Sequence, residues 1–66
     1  MRCLVNDQPH DLPDGATIVD LLAHLHLPGT RCAVEVNRLL VRRADHAHHR
    51  LAEGDQIEIV TLVGGG

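Results

Sequence analysis

A helical repeat occurs once in this chain, and that restricts the possible folds more than any other feature. Thr17-Ile18-Val19-Asp20 fits a capping box, in which a threonine hydroxyl and the carboxylate three residues on satisfy the orphan amides of a first turn. Behind it Ile18, Leu21, Leu22 and Leu25 recur at i, i+3, i+4 and i+7, which is one apolar face of a helix. Pro28-Gly29 supplies the stop. The remaining apolar residues fall in short alternating runs, the period of strands. A lone helix must bury its apolar face on something, and a sheet built from those runs is what the chain provides.

The core of such a body has to be aliphatic, because the 66 residues include no Phe, Tyr or Trp. A chain this short buries only about 60% of the surface that its unfolded state exposes. A dedicated small-molecule site needs about 300 Å³ or more of concavity, which leaves little room for both a site and a core. An enzyme acting on its own is therefore not expected. Nine acidic residues against six arginines give a net charge of −3, and no aromatic is present for base stacking, so nucleic acid is not an expected partner. Lysine is absent, which removes any side-chain amine for an isopeptide bond within the chain. Cys3 and Cys32 are too few and too far apart for a disulfide framework or a CxxC motif, and each lies in a strand-like run where a free thiol behaves as a small hydrophobe. No apolar segment is long enough for a signal peptide or a membrane span. The expectation is a reduced, cytoplasmic protein with no membrane partner.

Taken in order, Arg2 to Asn6 reads as a strand, Asp7-Gln8 as a turn and His10 to Leu12 as a second, weaker strand, with Pro9 tolerable only at its start or on an edge. Met1, Cys3 and Val5 share the expected core face, and Leu4 lies on the other. Pro13-Asp14-Gly15 turns the chain into the helix. His24 and His26, two residues apart on it, point in different directions and suit a solvated surface. Cys32 to Val36 alternates again, Asn37-Arg38 makes a tight turn, and Leu39 to Val41 returns. Arg42 to Arg50 loses the alternation and carries His46, His48 and His49. A histidine cluster raises zinc or nickel binding, yet apart from Asp45 no Cys or carboxylate completes a tetrahedral set, and a solvated loop or single helical turn accounts for it without a metal.

Glu53-Gly54-Asp55 is a turn, and Gln56 to Val63 is the last and most apolar strand. Ile57 and Ile59 should face the core; Glu58, Val60 and Leu62 then face away. Val60 and Leu62 beside Leu4 would form a partner-docking patch leading into the glycines, unless they are merely scattered surface hydrophobes. The expected division is a body over residues 1–63 and a flexible tail over 64–66. Gly64, Gly65 and Gly66 carry no side chains to pack, so the α-carboxylate of Gly66 is the one reactive group there. A partner enzyme could thread this thin tail through a narrow cleft. A frayed terminus would look the same.

The order of elements, hairpin, helix, strand pair, irregular segment and final strand, is the outline of an α+β, β-grasp fold: a mixed sheet of four to five strands with one helix packed across one face. Across essentially all 66 residues the chain resembles the ThiS family of sulfur carriers, which are ubiquitin-like β-grasp proteins. The resemblance is carried by Asn6-Asp7 closing the first strand, by Asp14-Gly15-Ala16-Thr17 and by Val34-Glu35-Val36-Asn37. Its most specific part is Glu53-Gly54-Asp55-Gln56-Ile57-Glu58-Ile59-Val60 with the terminal glycines. Family members commonly carry Gly where this chain has Asp7 and Arg38, and Arg suits such a turn less well than Asp. The resemblance implies that an E1-like, ThiF-like enzyme uses ATP to adenylate the Gly66 carboxylate, with no cofactor bound by the carrier itself. Sulfur drawn from a cysteine desulfurase then gives a thiocarboxylate, which a ThiG-like thiazole synthase consumes in thiamine biosynthesis. On that reading no residue of this chain is catalytic. The alternatives are a MoaD-like carrier for molybdopterin synthase and a non-covalent β-grasp interaction module.

Overall fold

In the computed structural model, which describes residues 1–62, the chain forms β1 (Arg2–Val5), β2 (Gln8–Asp11), α1 (Ile18–His24), β3 (Cys32–Val36), β4 (Leu39–Val41) and β5 (Gln56–Thr61). Short 3-10 turns lie at Gly29–Arg31 and Arg43–Asp45. The strands make one sheet in the order β2-β1-β5-β3-β4. β1 and β5 run parallel at its centre, while β1–β2, β3–β4 and β3–β5 are antiparallel. This is the mixed β-grasp sheet expected from the order of elements. The expected tail, Gly64, Gly65 and Gly66, lies outside the described residues, as does Val63.

Alternation along each strand explains why the sheet has one wet face. Cys3 and Val5 of β1, Val34 and Val36 of β3, and Ile57 and Ile59 of β5 all turn inward and are buried. Ile18, Leu21 and Leu22 of α1 press onto them, and Leu25 completes that face half-buried. The helix starts at the predicted box: the Thr17 hydroxyl accepts from the Asp20 amide at 3.3 Å, and the Asp20 carboxylate accepts from the Thr17 amide at 2.9 Å. Leu51, Leu12 and Ala16 close the sides of the core. A backbone bridge holds this arrangement together, because the Leu51 amide donates to the Ala16 carbonyl at 2.8 Å and the Ile18 amide to that of His49 at 3.2 Å.

Four expectations need correction. The helix does not end at Pro28-Gly29. It ends at His24 with Leu25 as its C-cap, and His26, just past the cap, takes a left-handed φ of 58°. The Leu27 amide then reaches the Leu22 carbonyl at 2.9 Å and the His26 amide that of Ala23 at 3.1 Å, which is a Schellman stop. Pro28-Gly29 instead leads into the first 3-10 turn. The second strand starts at Gln8, two residues before His10, because the hairpin turns at Asn6-Asp7 with φ of 49° and 68°. Pro9 is accommodated inside it: β2 is an edge strand, and Leu4, opposite Pro9, sends its own amide to Asp55 on the β5 side at 3.0 Å. β5 ends at Thr61, so Leu62, expected within it, lies just past its end. Finally, the expected single helical turn is present at Arg43–Asp45, but His46 at its end is not solvated; it is 3% exposed, with Nε2 3.0 Å from the Val41 carbonyl oxygen. That oxygen can only accept, so Nε2 carries the proton. His48 is exposed and His49 half-buried, and among the described residues no group of three potential ligands could hold a metal ion. Among the same residues, no helix is long and apolar enough to cross a membrane.

Candidate functional site

The candidate site is the end of β5 and the outer face of the sheet that leads to it. β5 is fixed from both sides. Five residue pairs join it to β3, from Val36↔Ile57 to Cys32↔Thr61, and two join it to β1. Where β1 stops at Val5, the side chain of Asn6 takes over its role. Asn6 Oδ1 accepts from the Ile59 amide at 2.9 Å, and its Nδ2 donates to the Ile59 carbonyl at 3.2 Å. One asparagine thus imitates one further residue of strand. Asn37 clamps the other end of β5: its Oδ1 accepts from the Gln56 amide, and its Nδ2 donates to Asp55 Oδ1, both at 3.0 Å. The sequence alone makes Asn6 the end of the first strand and Asn37 a turn residue, and gives neither a clamping role. The signal available was the placement of an Asn at the end of each strand that flanks β5, since its short amide can bond along a neighbouring backbone.

The last described anchor is the Leu62 amide, which donates to the Arg31 carbonyl at 2.6 Å. Val60 and Leu62 point outward as expected, 58% and 57% exposed. Leu4 does not join them. Its Cα partner on β5 is Gln56, four residues and about 13 Å along the strand from Val60. Leu4 is half-buried beside Pro9, and the apolar surface at the root of the tail consists of Val60 and Leu62, with Ala33 opposite Val60.

The outer face also carries a feature that strand alternation did not single out. Leu40, Glu35 and Glu58 stand in one row across β4, β3 and β5. The two glutamates are therefore direct cross-strand neighbours. On the opposite side of the molecule, an open groove of about 330 Å³ runs between α1 and the 3-10 turns, lined by Val19, Leu22 and Leu27 with His46 and Arg43. Arg43 donates to the Thr30 carbonyl at 3.2 Å. The thiol of Cys3 is buried and donates to the Ala52 carbonyl at 3.4 Å; burial pushes its pKa up, and the charges of Asp55 and Glu53 add to that. A thiol held neutral in this way is a core group rather than a nucleophile. No triad, paired acid and base, or ligand set is formed by the described residues, and what the geometry offers is a rigid mount for β5.

Comparison with known proteins agrees with this architecture. The model of the ThiS family matches residues 1–66. The sulfur carrier protein ThiS of Escherichia coli is 33% identical over 66 residues, covering all of both chains. A thiazole synthase of Magnetococcus marinus is 38% identical over the whole of this chain, which spans only 20% of that relative's length. The crystal structure of the thiamine biosynthesis protein ThiS from Geobacter metallireducens superposes with a TM-score of 0.85 at 25% identity, again over all of both chains. With the family model and a full-length relative both matching from end to end, the chain belongs to the ThiS family.

Proposed function

We propose that the chain is a sulfur carrier for thiazole formation in thiamine biosynthesis, and that it is acted upon rather than catalysing. The observation that carries this reading is the end-to-end match to a sulfur carrier protein of equal extent. The geometry is consistent with it, because a β5 strand clamped by Asn6 and Asn37 and anchored at Leu62 presents the chain end from a stiff base. Carboxylates resist nucleophiles because of their charge. An E1-like activating enzyme, using ATP, would join the Gly66 carboxylate to the α-phosphate with release of pyrophosphate. The resulting acyl-adenylate has a good leaving group: the terminal sulfur of a persulfide derived from a cysteine desulfurase displaces AMP to give an acyl disulfide, and a second thiol of the partner cleaves its S–S bond, releasing the thiocarboxylate and leaving a disulfide behind. Side chains at Gly65 or Gly66 would obstruct the close approach this requires. ATP belongs to the activating partner in this scheme, and the carrier binds no cofactor.

Thiazole synthase is the proposed consumer of the sulfur. Two relatives of that name, the second from Paramagnetospirillum magneticum at 30% identity, each contain a stretch similar to this entire chain within a much longer protein. Deleting Gly65 and Gly66 tests the carrier role. Exchange of labelled pyrophosphate into ATP by the activating enzyme should then disappear while docking persists. Undiminished exchange without the two glycines would refute the reading.

A further inference from the structure

The row Leu40–Glu35–Glu58 on the outer face points to a specific feature of the surface that docks there. Glu35 and Glu58 are Cα partners in the β3–β5 ladder. Backbone bonds at both ends of that ladder set its phase: the Asn37 amide donates to Gln56, and the Leu62 amide donates to Arg31. Counting pairs inward from either end makes Glu35 and Glu58 a hydrogen-bonded pair, with Cα atoms about 5.5 Å apart and side chains on the same face. Like charges placed directly opposite one another on a sheet are destabilising. Among the described residues the ion pairs are Met1–Asp14 and Arg2–Asp11, so neither glutamate has a cationic partner. Flanking them on the same face are Leu40, 66% exposed, and Val60. The fold therefore maintains two juxtaposed carboxylates framed by apolar side chains, in a place where their repulsion is not relieved from within.

We propose that Glu35 and Glu58 together receive one arginine of the activating enzyme, presented among apolar side chains that cover Leu40 and Val60. This rests on the carrier reading above, which supplies the partner. A guanidinium has five donors in a planar fork and can bond a carboxylate along each of two edges, whereas an ammonium is a point charge. A bound metal ion is the poorer occupant, since two carboxylates fall short of the six to eight oxygens a hard cation such as calcium takes, and the described residues contain no group of three ligands. Position favours the activating enzyme, because Glu58 precedes Leu62 by four residues. A protein that threads the tail rests within about 13 Å of this row.

The structure also predicts that stability and docking respond with opposite signs. Replacing Glu58→Lys sets an intramolecular cation beside Glu35, occupying the place of the partner's arginine. The melting temperature should rise by roughly 2–6 °C, while affinity for the activating enzyme falls by roughly tenfold or more. Glu58→Gln should show the same signs more weakly. Asp7→Asn, with the same change in net charge as Glu58→Gln but located on the first turn, should shift affinity by less than about twofold at physiological salt. Titration calorimetry against an E1-like enzyme of the same organism, with wild-type modification followed by mass in parallel, separates the two levels of the argument. If the wild type is not modified, the carrier reading fails and this inference fails with it. If the wild type is modified and Glu58→Lys binds equally well, the inference alone is overturned. It is likewise overturned if Glu58→Lys loses affinity together with melting temperature, or if the face proves to be a concentration-dependent dimer contact that Glu58→Lys abolishes.

Discussion

Arg38 occupies a backbone conformation that suits it poorly, and replacing it should make the protein more stable. The β3–β4 hairpin turns on Asn37 and Arg38 with φ of 52° and 70°, the pair of positive angles that a two-residue type I′ turn demands. A left-handed residue with a Cβ costs roughly 1–2 kcal/mol, with Asn and Asp partly excused by their short polar side chains. Arg has no such excuse. Arg38 is exposed, and among the described residues its side chain makes no ion pair, so no contact offsets the strain. Arg38→Gly removes the strain and returns about 0.5–1 kcal/mol through the greater freedom of glycine in the unfolded chain. The net gain is about 0.5–1 kcal/mol. For a domain of this size that corresponds to a rise in melting temperature of roughly 2–8 °C, readable by circular dichroism. Arg38→Ala keeps the Cβ and should gain nothing, while Asp7→Gly at φ 68° should gain less than Arg38→Gly. If Arg38→Ala and Arg38→Gly melted together, the benefit would not lie in the left-handed backbone and the reasoning would be refuted.

Other consequences are as direct. Leu62→Asp places a charge on the apolar root of the tail and should weaken docking to the activating enzyme by about 2 kcal/mol or more, measured by calorimetry; unchanged affinity would remove Leu62 from the interface. His46→Ala leaves the Val41 carbonyl without its partner in a buried setting and should lower unfolding stability in urea by about 1–3 kcal/mol. The Cys3 thiol should resist alkylation in the native protein and react fully in denaturant. Because its folded pKa is raised above 9.0, its neutral form stabilises the fold fully below pH 9. That contribution is lost as the pH climbs through the folded value, so melting temperature measured from pH 8 to 11 should decline at the alkaline end.

The helix start and its buried face could be read from residues 17–25 because both are local: a hydroxyl, a carboxylate and four aliphatic side chains at helical spacing. The inward faces of β1, β3 and β5 could be read for the same reason, since strand alternation assigns a side to each residue. Alternation says nothing about position along a neighbouring strand. Alternation alone therefore groups Leu4 with Val60 and Leu62, whereas the parallel register sets it beside Gln56. The same limit hid the adjacency of Glu35 and Glu58, which depends on how β3 and β5 pair. The sequence points to Pro28-Gly29 as the helix stop because that pair is a generic terminator, while the actual stop needs only a residue tolerant of positive φ, and histidine is among those enriched there. His46 looked solvated in a run of polar residues. Its burial follows from the 3-10 turn at Arg43–Asp45, which folds that segment back toward the end of β4.

The carrier reading depends on chemistry at the carboxylate of Gly66, and mass spectrometry of the intact chain addresses it most directly. After incubation with its activating enzyme, ATP and a desulfurase-supplied sulfur source, the protein should gain the mass difference between sulfur and oxygen, mapped to its C-terminal peptide and lost again on reaction with thiazole synthase. A competent enzyme that turns over ATP yet leaves the mass unchanged, or a gain that maps to Cys3 or Cys32 instead, would contradict the account.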